Sequence, residues 1–274
     1  MILKNLWNTI PLHSSADEWY ENKKTYHGVD RYPVLPCGVI PSFSIFMVDN
    51  VATGADVVVY NALTEAQCHT ISLQASRTAS CHYFSGKTVA DAVDGIYYYT
   101  ITANGETFIS EPFRWESHMD GFVHIHYRRS TNMNIGTRLF FWPTGEYFDL
   151  YLPGEIMMPE YQYDEEVEDL DGVQFVRKRV SYKKHKFTTL CTDYTAEALR
   201  LMWHCNDITI MQHGETYDVD YMEAPQVSWG DDNHLAEVDL VFHTDNIIQT
   251  NGESSENTGV TSRSFDGSFD GSFN

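Results

Sequence analysis

Positive charge is scarce in this chain: 18 lysines and arginines face 39 aspartates and glutamates over 274 residues, a formal charge of −21. So acidic a surface repels nucleic-acid backbones and anionic membranes, which leaves proteins as the expected partners. Long apolar runs are missing too. No stretch approaches the ~18 residues a membrane span requires. The opening Met1-Ile2-Leu3-Lys4-Asn5-Leu6-Trp7-Asn8 has neither the basic region nor the long apolar core of a signal peptide. The expectation is folding in a cytoplasm, without membrane insertion. Cysteines are few and scattered: Cys37, Cys68, Cys81, Cys191 and Cys205 are odd in number and form no CxxC pair. That speaks against a disulfide framework and a zinc knuckle, and the expected state is buried, reduced thiols.

Catalytic signatures are equally absent. The chain has no GxSxG, no HExxH, no phosphate loop and no dinucleotide fingerprint. A hydrolase using carboxylates from distant strands would leave no local spacing to find. The expectation is a protein that is not an enzyme, with no cofactor and no catalytic or metal site. The nearest thing to a metal site is His124 and His126, two apart on an expected strand and so on one face, with His118 nearby. No acid stands at fixed ligand spacing, and Arg128 and Arg129 would oppose a cation. This pattern is read as a polar outer strand face.

What the chain has is 42% hydrophobic and 14% aromatic content, enough for at least one core, and a length that favours two domains. Residues 1–30 read as an N-terminal arm, and Trp7, Trp19, Tyr20, Tyr26 and Tyr32 of the lead-in suit packing on protein, with stacking on sugars as the alternative. From 31 to 117, runs of β-branched and aromatic residues recur between turn signals, at Phe43 to Val48, Asp56 to Tyr60, Thr70 to Gln74, Gly95 to Thr102 and Thr107 to Trp115. This spacing predicts an Ig-like β-sandwich. Asn104-Gly105 between two such runs is a strong hairpin signal, because both residues accept the positive φ of a type I′ turn.

A second domain, mainly β with one α-helix, is expected over 118–250. Within it Glu155, Glu160, Asp164, Glu165, Glu166, Glu168, Asp169 and Asp171 lie along a stretch with no Lys or Arg, which reads as an exposed connection. It lacks the order of a calcium loop. Its charge predicts a place beside the basic strand segment Arg177 to Lys186. A helix is expected from about Tyr194 to His204, capped by Asp193 or Thr195, with Ala196, Leu199, Met202 and Trp203 facing inward. His213-Gly214-Glu215 marks a further hairpin, and Ala236 to His243 a last strand. Residues 251–274 end in a Ser-Phe-Asp-Gly repeat carrying Phe265, Phe269 and Phe273, and are expected to be a flexible assembly arm.

Gly95-Ile96-Tyr97-Tyr98-Tyr99 with Ser110-Glu111-Pro112-Phe113 resembles a "G-x-Y-Y … S-E-x-F" pattern of uncharacterised tail or baseplate structural proteins in phages and prophages of Bacteroides-like bacteria. Phe148-Asp149-Leu150-Tyr151-Leu152 followed by Pro159-Glu160-Tyr161 is similar to that family's next segment. Ala198-Leu199-Arg200-Leu201, Tyr217-Asp218-Val219, Trp229, Leu235-Ala236-Glu237-Val238 and Phe242-His243-Thr244-Asp245 are similar to its closing pattern. The resemblance spans about Tyr32 to Thr250. It implies a virion component assembling as a homo-oligomeric ring with neighbouring virion proteins, and it brings no catalytic residues. Two β-rich domains with one helix in the second also match the layout of tail-tube and distal-tail proteins. The alternative is a carbohydrate-binding β-sandwich that uses surface aromatics in host-surface recognition.

Overall fold

The computed structural model describes residues 9–14, 32–46, 54–78, 81–103, 105–130, 133–135, 138–140, 146–230 and 235–250. The protein is mainly β, with one α-helix among the described residues. The first unit contains β1 (Leu12–His13), β2 (Val34–Pro36), β3 (Val39–Ile40), β4 (Phe43–Phe46), β5 (Gly54–Asn61) and β6 (Gln67–Thr78). It continues with β7 (Cys81–Phe84), β8 (Lys87–Thr88), β9 (Gly95–Ala103), β10 (Glu106–Ser110) and β11 (Phe113–Glu116). Nine of these strands hydrogen-bond into one sheet, and β3 pairs with β8.

Alternation builds the core here. Along β9, Tyr97, Tyr99, Ile101 and Ala103 turn inward while Thr102 faces out, the period-two pattern of a half-buried strand. They share a core with Val57, Val59, Phe43, Phe113 and Trp115, whose indole N–H donates to the Val39 carbonyl at 2.8 Å. The expected hairpin is present: β9 and β10 pair antiparallel, with Gly105 just before β10 at φ +80°. The lead-in is more than an arm, however. Ile10 is fully buried in this core and β1 pairs with β10, because the apolar side chain there finds a place beside the sheet edge. The rest of the expected N-terminal arm lies outside the described residues, as does the expected C-terminal arm from 251 on.

The second unit runs through β12 (Phe122–Arg128), β13 (Met133–Ile135), β14 (Arg138–Phe140), β15 (Phe148–Pro153), β16 (Glu160–Leu170), β17 (Val173–Cys191) and α1 (Asp193–Met202). After the helix come β18 (Asp207–Gln212), β19 (Glu215–Asp218), β20 (Tyr221–Met222), β21 (Gln226–Trp229) and β22 (Ala236–Thr250). Two sheets matter most, one ordered β15-β12-β18-β19 and the other β16-β17-β22-β20, with β21 also on β22. Their inner faces and the helix share a core that includes Ile125, Leu150, Phe187, Leu199, Leu240 and Phe242.

The helix differs from expectation at both ends. Its cap is Thr192, whose Oγ1 accepts the Thr195 N–H at 3.3 Å. Asp193 instead sits in the first turn, where its charge complements the helix dipole. Leu199 and Met202 are fully buried as expected, but Trp203 is the residue that ends the helix. It stays 39% exposed, and its indole N–H donates to the Met222 carbonyl at 2.9 Å.

The acidic stretch is a strand rather than a connection. Most of it forms β16, which pairs with β17 through a turn at Asp171 (φ 53°) and Gly172 (φ 81°). The charge matching expected for it is present within one chain, through Arg179–Glu165 at 2.8 Å and Arg177–Glu168 at 3.2 Å. The basic segment is correspondingly one continuous strand of 19 residues. Outward from His185 on β17 and Thr244 on β22, and along β16, none of the side chains whose burial is described is buried. These parts of the three strands form a ribbon whose described side chains are all at least partly exposed, on both faces. With β17 rising about 3.4 Å per residue, the ribbon extends roughly 27 Å from Ser181 to its tip.

Candidate functional site

The sheet β15-β12-β18 has one face in the core and one outside. Val123, Ile125 and Tyr127 of β12 and Phe148, Leu150 and Leu152 of β15 point inward. By alternation the outer face carries His124, His126 and Arg128 of β12 and Asp149 and Tyr151 of β15. Register places Asp149 directly across from His126, and Tyr151 across from His124. On the far side of β12, Thr209 faces His126 and Asp207 faces Arg128.

These positions bring three donors together. Oδ1 of Asp149 lies 2.7 Å from Nε2 of His124 and 2.7 Å from Nδ1 of His126. The three side chains are 20–33% exposed, with the carboxylate the most covered. Both imidazoles are held flat: His124 stacks on Tyr151 at 4.3 Å and His126 on Tyr147 at 4.1 Å, each pair within 12° of parallel. Burial opposes the charge on Asp149, yet the hydrogen bonds and charges of the two histidines outweigh it and hold the carboxyl down at about 2. Burial, aided by the Asp149 charge, pushes the Tyr151 phenol up.

Two objections drawn from the sequence lose their force. An acid does stand at ligand distance, supplied by the neighbouring strand, where local spacing along the chain could not show it. Arg128 is matched by Asp207, its Nε 2.6 Å from Oδ2, while its guanidinium lies 4.5 Å above the Tyr147 ring. Arg129 donates to the His204 carbonyl. His118 is not part of the group; it lies by Asp94, whose carboxyl it helps to lower behind the stronger effect of the Ser117 hydroxyl. The available signal was the alternation of Phe148-Asp149-Leu150-Tyr151-Leu152 itself, which puts Asp149 on the polar face of a strand built like β12.

Strand β15 is also where the two units meet. Thr9 donates its hydroxyl to the Asp149 carbonyl, and the Tyr83 hydroxyl donates to the Tyr147 carbonyl at 2.9 Å. The Tyr83 ring packs edge-on against Phe148. Beside this junction an open cleft of about 300 Å³ lies between Thr9, Tyr32 and Arg114 of the first unit and Tyr151, Leu190 and Thr195 of the second.

Other polar clusters tie strands together. Asp239 binds Lys186 at 2.7 Å and the Thr188 hydroxyl at 2.5 Å, and Glu223 binds Lys184 at 2.8 Å. The cysteines depart from uniform burial: Cys191 is buried and Cys205 largely covered, its thiol pushed up to about 12 by burial, but Cys68 is exposed because it follows a surface turn. No described helix is long and apolar enough to cross a membrane. Compared with family models, curated proteins and solved structures, the chain matches none.

Proposed function

We propose that the chain is a structural subunit of a bacteriophage tail or baseplate, assembling with copies of itself into a ring and with neighbouring virion proteins. The observation that supports this best is the ribbon formed by β16, the outer half of β17 and the end of β22. A ribbon with no buried side chain among those described gains little from its own packing, since such sheets need an apolar face covered to be stable. Yet apolar side chains do stand on it: Tyr161, Tyr163 and Val167 on β16 and Ile247 and Ile248 on β22 are all about half exposed or more. Register sets Tyr163, Ser181 and Ile247 side by side on one face. Along the same ribbon β16 pairs on one side only among the described residues, so its other edge offers main-chain donors and acceptors to a second strand.

On this reading the first unit is an Ig-like sandwich in the body of the ring, the ribbon reaches a neighbouring copy, and the protein resides in the virion after assembly in the host cytoplasm. Carbohydrate binding, the alternative, draws on the open cleft beside Tyr32 and Tyr151 and on exposed aromatics such as Tyr221 and Trp229.

Mass photometry and negative-stain imaging of the full chain test the proposal. Ring-like oligomers are expected, and the pair Tyr163→Asp with Ile247→Asp should dissolve them while the melting temperature holds. A protein that stays monomeric at all concentrations and is missing from purified virions refutes it, and sugar-specific hits on a glycan array from that monomer would favour the alternative.

A further inference from the structure

We propose that His124, His126 and Asp149 bind one late first-row divalent cation, of which Zn²⁺ is the type. Two imidazoles and one carboxylate are the donor set such ions take, and three protein ligands leave a coordination position for water or for a donor from another molecule. The three ligand atoms lie within 4.8 Å of one another. At bond lengths of about 2.0–2.2 Å, neighbouring donors in a tetrahedral site stand roughly 3.3 Å apart. Oδ1 of Asp149, now 2.7 Å from each ring nitrogen, would have to withdraw by about half an ångström, a movement within reach of its side-chain torsions.

Register and alternation fix which three side chains share the site, and their ligand atoms need only close from within 4.8 Å to that spacing. Antiparallel register sets Asp149 opposite His126, and strand alternation sets His124 on the same face two residues away. Stacking on Tyr151 and Tyr147 limits rotation of the rings, which lowers the entropy lost on binding. The nearest cation on that face, Arg128, is matched by Asp207. The net charge of −21 further raises the local concentration of cations. A bound ion would fasten β12 to β15, the strand that Thr9 and Tyr83 reach from the first unit.

Titration of the full-length, chelator-stripped protein with Zn²⁺ against a chromophoric chelator tests the site, together with the visible spectrum of the Co²⁺ form. One equivalent of Zn²⁺ should bind and raise the melting temperature. His126→Gln and Asp149→Asn should each weaken binding by at least ~100-fold, whereas Cys68→Ser and His118→Gln should leave it unchanged. The Co²⁺ spectrum, which needs no substitution, should show four- or five-coordinate bands without thiolate charge transfer. Absence of saturable binding, binding that survives both His126→Gln and Asp149→Asn, or a thiolate band in the Co²⁺ form would each overturn the assignment. None of these outcomes depends on whether the protein forms rings.

Discussion

Replacing Asp149 by Asn removes one charge and keeps an oxygen acceptor in place, so the loss reads the value of the carboxylate to the folded state. Its carboxyl is held at about 2 against an ordinary 3.8. At ~1.36 kcal/mol per unit, that difference corresponds to roughly 2–3 kcal/mol of stability at neutral pH. The side chain is only 20% exposed, so solvent screening removes little of it. A loss near 2 kcal/mol lowers the melting temperature by about 4–8 °C in a protein of this size. The folded-state value is depressed, so the contribution is fully present above the unfolded value and fades as pH falls through the folded one. Thermal and urea unfolding of wild type and Asp149→Asn, with EDTA present, should therefore differ clearly at pH values above the unfolded carboxyl value, where Asp149 is ionised and its two histidine partners carry their hydrogen bonds to it. The gap should halve by about pH 3 and nearly close by pH 2. Acidic groups away from His124, His126 and Asp149 are common to both proteins and cancel in the difference. A variant as stable as wild type at pH 7, or a gap undiminished at pH 3, would refute the account of this carboxylate.

Two further substitutions read packing and turn chemistry. Leu199→Ala should cost about 2–5 kcal/mol in urea unfolding, because the side chain is fully buried between helix and sheet, whereas Trp203→Ala should cost only about 1–2 kcal/mol for a rim position and one hydrogen bond; equal losses would contradict the placement of Trp203. Gly172→Ala introduces no contact, since nothing lies within 4 Å of the added methyl, but it disfavours the positive φ of the turn by about 1 kcal/mol. Hydrogen exchange should quicken at residues 163–180 with the global melting temperature unchanged, and a global loss would show that the ribbon folds as one with the core.

Strand content, the Asn104-Gly105 and His213-Gly214 hairpins and the buried stripe of the helix were legible because each is written in residues close together along the chain. The acidic stretch was misread for a physical reason: its charges resemble those of a solvated connection, and here both faces of a strand are solvated, so the alternation that usually marks a strand is missing. Asp171-Gly172 was the local signal against that reading, an Asp-Gly pair of the kind that makes a type I′ turn. The candidate site was half legible. His124 and His126 announce a shared face by their spacing, but Asp149 joins them only through antiparallel register, a pairing between residues far apart in the chain. Trp203 follows the helical stripe in sequence yet falls at the point where the helix ends, and there periodicity no longer fixes direction.

Strand β17 is unbroken from the turn at its tip to Cys191, beside the cap of the helix, a span of roughly 60 Å at the usual rise per residue. No loop interrupts it where the ribbon becomes core, although a bulge shifts its register on β22 between Ser181 and Lys183. It therefore acts as a stiff beam clamped at one end, with Phe187 and Cys191 in the grip of the core and the outer half free to take a load. Tension or bending applied at the tip travels along covalent backbone and a ladder of interstrand hydrogen bonds, straight to the residue that caps the helix. Single-molecule pulling from the tip should accordingly show high resistance up to one sharp rupture, as the interstrand ladder is loaded in shear, in place of the gradual unzipping of a hairpin hinged to its domain by a flexible linker.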